Sequence, residues 1–330
     1  MHGHRPLRKG TAALAVAALA GILAGCGGSD KATTASGPGP ETSDLKIGVI
    51  KIAGVTPIFA AQKLGYFKDE GLNVTLETSS GGAASLPLVS QGELQITNAP
   101  AVSVILGREK GFDFSILPPS LDAEPQAPGQ TAVLASNTSG VKTLSDLAGK
   151  KVGVNTINSV NWLYNRQLLK KAGVDLKTVT YVELPFPSMI DALNQGSVDA
   201  IDVPQPFLFV AQQTGKVKTL GYTFLDVQPS VPITGYAASQ KWIDKNPKTL
   251  AAFERAMTKA VEYMRSHEAE AKQLIVEYTG AKADLVAQIP LNKWSTTTNS
   301  EQIQKTADLM LEAGMIKQKV DVTKYIAKAG

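Results

Sequence analysis

Between residues 44 and 238, short β-branched runs alternate with helix-favouring segments, and that alternation restricts the chain to sheets covered by helices on both faces. Leu45 to Ile50 reads as a strand, and Pro57 to Leu64 as a helix whose proline suits a first turn. Asn73 to Thr78 alternates as a second strand. A short helix over Gly81 to Gly92 follows, then a strand over Leu94 to Thr97, a helix over Ala101 to Arg108 and a strand over Phe112 to Leu117. Pro118 to Gly129 reads as a proline-rich loop ahead of a strand at Thr131 to Ala135. A second series runs from Lys151 to Tyr222, including a helix over Ser159 to Ala172 with Val160, Tyr164, Leu168 and Ala172 on one stripe. Ile233 to Ala238 reads as a strand returning to the first series. The remainder is helical: Asn246-Pro247 reads as an N-cap followed by proline, and Leu250, Phe253, Met257, Val261 and Met264 form a stripe. This pattern implies a two-lobed α/β protein.

Ahead of that domain lie Arg5, Arg8 and Lys9, then an apolar stretch from Ala12 to Ala24 that is too short to span a bilayer comfortably. Residues 1–25 read as a secretory signal. Its end, Leu23-Ala24-Gly25-Cys26, resembles the bacterial lipoprotein box, which implies cleavage before Cys26 and a lipid on its sulfur. Cys26 is the only cysteine, so it has no disulfide partner within the chain. An ordinary secretory signal with an incidental cysteine is the alternative. Gly27 to Ser43 has no aromatic or large aliphatic residue and is expected to be a flexible tether spanning roughly 20–25 Å. The expected location is the outer face of the cell membrane or the periplasm, held by the lipid alone.

The net charge of +4 overstates the mature protein, because subtracting Arg5, Arg8 and Lys9 leaves +1. No basic stripe suggests nucleic acid, and no second apolar run suggests a membrane span. With His2 and His4 in the leader, His267 is the one histidine left. A His/Cys zinc site or a histidine-based triad would lack its residues. No metal, cofactor or catalytic activity is expected.

Three segments resemble one family. They are Thr56 to Leu72 (Thr-Pro-Ile-Phe-Ala-Ala-Gln-Lys-Leu-Gly-Tyr-Phe-Lys-Asp-Glu-Gly-Leu), Lys142 to Val154, and Ala192 to Ala200 (Ala-Leu-Asn-Gln-Gly-Ser-Val-Asp-Ala). Their order and content resemble the nitrate, sulfonate, taurine and thiamine-precursor (NMT1-like) branch of ABC-importer substrate-binding proteins. The resemblance implies a type II periplasmic-binding fold with hinge-crossing strands, here Thr131–Ala135 and Ile233–Ala238. Residues 44–136 with 233–330 would form one lobe and 137–232 the other. It also implies a monomer that delivers a small molecule to a permease. The chain has no phosphate-binding loop, so the ATPase would be a separate subunit. Other relatives in the superfamily make the thiamine pyrimidine, an activity that goes with a cysteine cluster and functional histidines absent here. A lipid-anchored sensor without transport remains a further reading.

Ligands of open α/β sheets bind beyond the carboxyl ends of strands, at helix N-termini. The candidate ligand-binding residues at such junctions are Thr56; Ser79, Ser80 and Gly81; Asn98; Thr156 and Ser159; and Gln205 with Phe207. Ser79-Ser80-Gly81-Gly82 would offer backbone N–H groups to an anion, and it equally suits a plain turn with a serine cap. Trp162 lies off the core stripe and could wall the cleft, although a tryptophan also suits ordinary packing. Val203-Pro204-Gln205-Pro206-Phe207 departs from the family, where aromatic-Glu-Pro is common, so a possible negative charge is missing. Few fixed charges, several hydroxyls and two aromatic walls favour a small organic ligand with an apolar body and one polar or anionic end.

Overall fold

The computed structural model describes residues 39–327; the leader, Cys26 and the tether up to Pro38 lie outside the described residues. The strands are β1 (Asp44–Val49), β2 (Asn73–Thr78), β3 (Ile96–Asn98), β4 (Phe114–Asp122), β5 (Thr131–Ser136), β6 (Lys151–Val154), β7 (Thr180–Glu183), β8 (Ala200–Pro204), β9 (Val217–Tyr222), β10 (Pro232–Ser239) and β11 (Lys293–Ser295). The helices begin with α1 (Thr56–Lys63), α2 (Tyr66–Asp69), α3 (Gly82–Gln91) and α4 (Ala101–Glu109), followed by α5 (Val160–Lys171), α6 (Phe186–Asn194) and α7 (Phe207–Gln213). The C-terminal set is α8 (Gln240–Lys245), α9 (Pro247–Ser266), α10 (Glu268–Thr279), α11 (Ala283–Val286) and α12 (Ser300–Glu312).

The strands form a 6-stranded sheet of order β11-β4-β10-β3-β1-β2 and a 5-stranded sheet of order β7-β6-β8-β5-β9. In each sheet the βα units pair in parallel, β2 and β3 flanking β1, and β7 and β8 flanking β6. Antiparallel strands complete them. The central strands β5 and β8 are buried almost throughout, as strands covered on both faces are, with Asp202 at the centre of β8 the one charged residue among them. The stripe Leu250, Phe253, Met257, Val261 and Met264 of α9 is buried in the core. In α5, Val160, Tyr164 and Leu168 are buried as expected, while Ala172 is the partly exposed C-cap.

Three sequence expectations shift. The fourth strand does not stop at Leu117, and Pro118-Pro119 do not open a loop, because β4 continues to Asp122. The prolines fall where pairing with β10 is irregular, between Leu117 opposite Tyr236 and Leu121 opposite Thr234, so no ladder donor is required of them. Thr131–Ser136, grouped above with residues 44–136, hydrogen-bonds between β8 and β9 in the second sheet. The tether does not run loose to Ser43. The Glu41 carboxylate accepts from the N–H groups of Thr249 (2.9 Å) and Lys248 (3.2 Å), and Ser43 O accepts from Asn73 N (2.7 Å). Glu41 thus satisfies orphan donors at the start of α9, while Asn246, the expected side-chain cap, instead donates to Trp242 O. Burial alone would raise the Glu41 pKa, but the hydrogen bonds from Thr249 and Lys248 outweigh it and hold the carboxyl below its usual range.

The chain crosses between the sheets twice, after β4 and after β9. The crossings are joined by Ala123 N donating to Val231 O at 2.7 Å. Gln130 braces the first crossing: its Nε2 donates to Asp122 O (2.7 Å) and its Oε1 accepts from Glu124 N (2.9 Å).

Candidate functional site

A pocket of about 40 Å³ lies between the two sheets. From the first-sheet side it is lined by Ile50, Ile52, Gly81, Gly82, Ala83, Asn98, Pro100, Ser103, Ile233 and Thr234; from the other by Asn155, Thr156, Ser159, Val160, Asn161 and Phe186. The lobes meet around it: Asn155 Nδ2 donates to Ser80 O at 3.3 Å, and Ala53 N to Gln205 O at 3.2 Å.

Of the candidates from sequence, Gly81, Asn98, Thr156 and Ser159 line this pocket together. Gly81 has φ +137° and ψ 179°, a region that is nearly glycine-only, and it turns β2 into α3 so that the helix starts at the pocket wall. Asn98 is committed within its own lobe, its Nδ2 donating to Thr234 Oγ1 (2.7 Å) and Gly235 O (2.8 Å). Ser159 caps α5 by accepting from Trp162 N at 3.2 Å, and donates to Asn155 Oδ1 at 3.1 Å.

The other candidates do not line it. Ser79 Oγ accepts from Gly81 N within its own turn, and Ser80 contributes a carbonyl that binds Asn155. Thr56 is fully buried at the start of α1, and its Oγ1 has no hydrogen-bond partner. Gln205 accepts from Phe209 N with its side chain, and meets the first lobe only through its backbone. Phe207 stacks behind the wall on Phe186, with ring centroids 6.2 Å apart. Trp162 faces a different space, described below.

Asn161, Phe186, Ile233 and Thr234 were missed. Phe186 follows β7 at a strand-to-helix junction, the same signal that found Thr156. Ile233 and Thr234 come from the return strand β10, which only the crossing topology brings to the cleft.

Helices α3, α4, α5 and α6 all start at the pocket wall, through Gly82, Pro100, Val160 and Phe186. The first N–H groups of a helix have no intrahelical acceptor, and the dipole makes that end positive. Among the described lining residues none is ionisable, so the pocket combines a positive backbone field with neutral side chains. One layer behind, on β8, Asp202 is fully buried. It accepts from Thr223 Oγ1 (2.7 Å) and Asn165 Nδ2 (3.3 Å), and Asn165 Oδ1 accepts from Tyr181 Oη (2.8 Å). Burial pushes the Asp202 carboxyl up to about 7, against hydrogen bonds from Thr223, Asn165 and the pocket residue Asn161.

Adjoining the inner pocket is a chamber of about 500 Å³ that shares Ala83 and Ser103 with it. Trp162 lines this chamber, its ring carrying the Arg166 guanidinium at 4.6 Å and meeting Tyr181 edge-on at 5.9 Å.

Residues 53–271 match the NMT1/THI5-like family. The chain belongs to that family. Its sequence is 26% identical over 312 residues to a protein of Bacillus subtilis (strain 168) named "Putative aliphatic sulfonates-binding protein", covering 91% of this chain and 90% of that one. It is also 25% identical over 296 residues to the nitrate import ATP-binding protein NrtC of Synechocystis sp., covering 83% of this chain and 43% of that one. The NMT1/THI5-like chain has the two-lobed periplasmic-binding fold. The alkanesulfonate-binding protein SsuA from Xanthomonas axonopodis pv. citri, bound to MOPS, matches it with a TM-score of 0.73 at 17% identity, over 87% of this chain and 99% of that one.

Proposed function

We propose that this protein is the substrate-binding component of an ABC importer, held outside the membrane by a lipid on Cys26. In this reading it captures a small organic anion between its lobes and delivers it to a permease driven by a separate ATPase. The observation that carries the reading is the convergence of α3, α4, α5 and α6 on a neutral pocket between the lobes. Backbone dipoles and unsatisfied N–H groups bind an oxyanion without a fixed cation, so the ligand is released when the lobes part. Sulfonates are the leading class, with small aromatic or pyrimidine compounds behind them.

A binding role also accords with the hydroxyls and amides of the lining, from Ser103, Thr156, Ser159, Asn155 and Asn161, which are groups suited to hold a polar ligand. His267 stacks on Tyr263 at 4.2 Å and accompanies Ser266 at the α9–α10 corner, outside the pocket lining. Among the described residues no helix is long and apolar enough to cross a membrane.

Thermal-shift measurements with alkanesulfonates, nitrate, pyrimidines and small aromatic acids test the ligand class, since a bound ligand raises the melting temperature with its concentration. Stabilisation by a sulfonate is expected; stabilisation by nitrate alone would overturn the organic-ligand reading. Cys26→Ser is expected to move the protein out of the membrane fraction with its affinity intact. Unchanged membrane retention would overturn the anchor.

A further inference from the structure

The inner pocket is too small for a whole organic ligand. Its volume of about 40 Å³ is on the scale of one water molecule or one small oxyanion group. The rest of any organic ligand must leave that space, and the structure offers a continuation. The chamber of about 500 Å³ falls within the usual size of a small-molecule site, and it borders the inner pocket along Ala83 and Ser103. Its walls carry Leu106 and Phe112 on one side and Ile157 and Trp162 on the other, with Lys110 and Asn158 among their polar members. Phe112 and Ile157 are 42% and 39% exposed, and they are the exposed large hydrophobics among the described residues. Both line this one chamber, so the two large apolar side chains that are exposed among the described residues lie together beside the cleft. Because Ile157 and Trp162 come from the second lobe and Leu106 and Phe112 from the first, the chamber takes shape only when the lobes are together.

We propose that this chamber is a second subsite of the cleft, which takes the alkyl or aryl tail of an amphiphilic ligand whose oxyanion head sits in the inner pocket. The proposal rests on the reading of the inner pocket as an anion site, and it adds the tail as the group that selects among ligands. Closure would cover the tail between Phe112 and Trp162, so a longer tail stabilises the closed form as well as the complex.

Calorimetry on the protein with methanesulfonate, butanesulfonate, hexanesulfonate and octanesulfonate tests it. Affinity is expected to rise by up to about fourfold for each added methylene that becomes buried. Phe112→Ser and Ile157→Ser, both at exposed positions, should flatten that rise while leaving methanesulfonate affinity unchanged. Trp162→Ala should flatten it further, with its melting temperature recorded to separate misfolding from lost contact. A wild-type series that binds with no dependence on chain length would overturn the tail subsite and leave the anion pocket standing. A steep series unaltered by all three variants would place the tail elsewhere and equally overturn it. Failure of every sulfonate to bind would overturn the anion reading and the subsite with it.

Discussion

The two faces of the cleft are built from different materials. The first-lobe face is mostly apolar side chain and backbone, with Ile50, Ile52, Gly81, Gly82 and Ile233; its polar members are Ser103, Thr234 and Asn98, the last already bonded to Thr234 and Gly235. Behind it sit neutral hydroxyls, Thr97 Oγ1 donating to Ser85 Oγ at 2.7 Å. The second-lobe face is mostly polar side chain, with Asn155, Thr156, Ser159 and Asn161 beside Val160 and Phe186, and behind it lies the acid Asp202. One face is a fixed platform whose shape is set by backbone conformation. The other carries the adjustable chemistry, and its electrostatics change with a single proton.

The strongest way to break this contrast is to titrate it. The folded state holds the Asp202 proton far more tightly than the unfolded chain, whose value lies near 3.8. The stability linked to this group is therefore full below that value, is lost as pH rises toward about 7, and falls no further above it. A shift of about three units corresponds to at most about 4 kcal/mol. Denaturant melts between pH 4 and 8 should show the decline in the native protein and a shallower one in Asp202→Asn. Parallel slopes would mean that the second lobe has no such switch.

Gly81→Ala probes the platform. A side chain at φ +137° imposes a strain of about 1–3 kcal/mol, and the new Cβ would meet Asn155 Nδ2 at 3.4 Å. Ligand affinity should fall by roughly tenfold or more, with a lower melting temperature. An unaffected variant would show that the α3 entry is not rigid.

The next effect concerns ligand charge. Ionised Asp202 places a negative charge behind the anion site, so sulfonate affinity should weaken as pH passes about 7, by up to about tenfold, and stay level in Asp202→Asn. A neutral ligand would show no such dependence, which sharpens the assignment of the head group. Ser159→Ala is the mildest test. Loss of the α5 cap should cost about 1 kcal/mol of stability, read by chemical denaturation.

The regular elements were legible where local pattern and burial agree. β2 alternates and occupies Asn73–Thr78 as read, and the α9 stripe is the buried face. Strand β11 was not legible, because three residues carry no period and Trp294 is held by a bond to Gly54 O that no local signal announces. Pro118-Pro119 misled for the opposite reason, since their local meaning is overridden by an irregular pairing with a distant strand. The cleft divides the same way. Gly81, Thr156 and Ser159 announce themselves as strand-to-helix junctions. Gln205, Phe207 and Ser79 sit at similar junctions, but their side chains are spent on their own loop or on the layer behind. Trp162 was rightly placed off the core stripe, yet it opens on the outer chamber rather than the inner pocket.

The seat of Glu41 on α9 has a mechanical consequence. Any load carried by the chain ahead of residue 39 is delivered through Glu41 and Ser43 to the start of α9 and to β2, both on the six-stranded side. Neither crossing segment lies on that load path. Under the proposed anchor at Cys26, tension on the chain would therefore reach the six-stranded lobe first and leave the other, with its acid and its hydroxyls, off the load path.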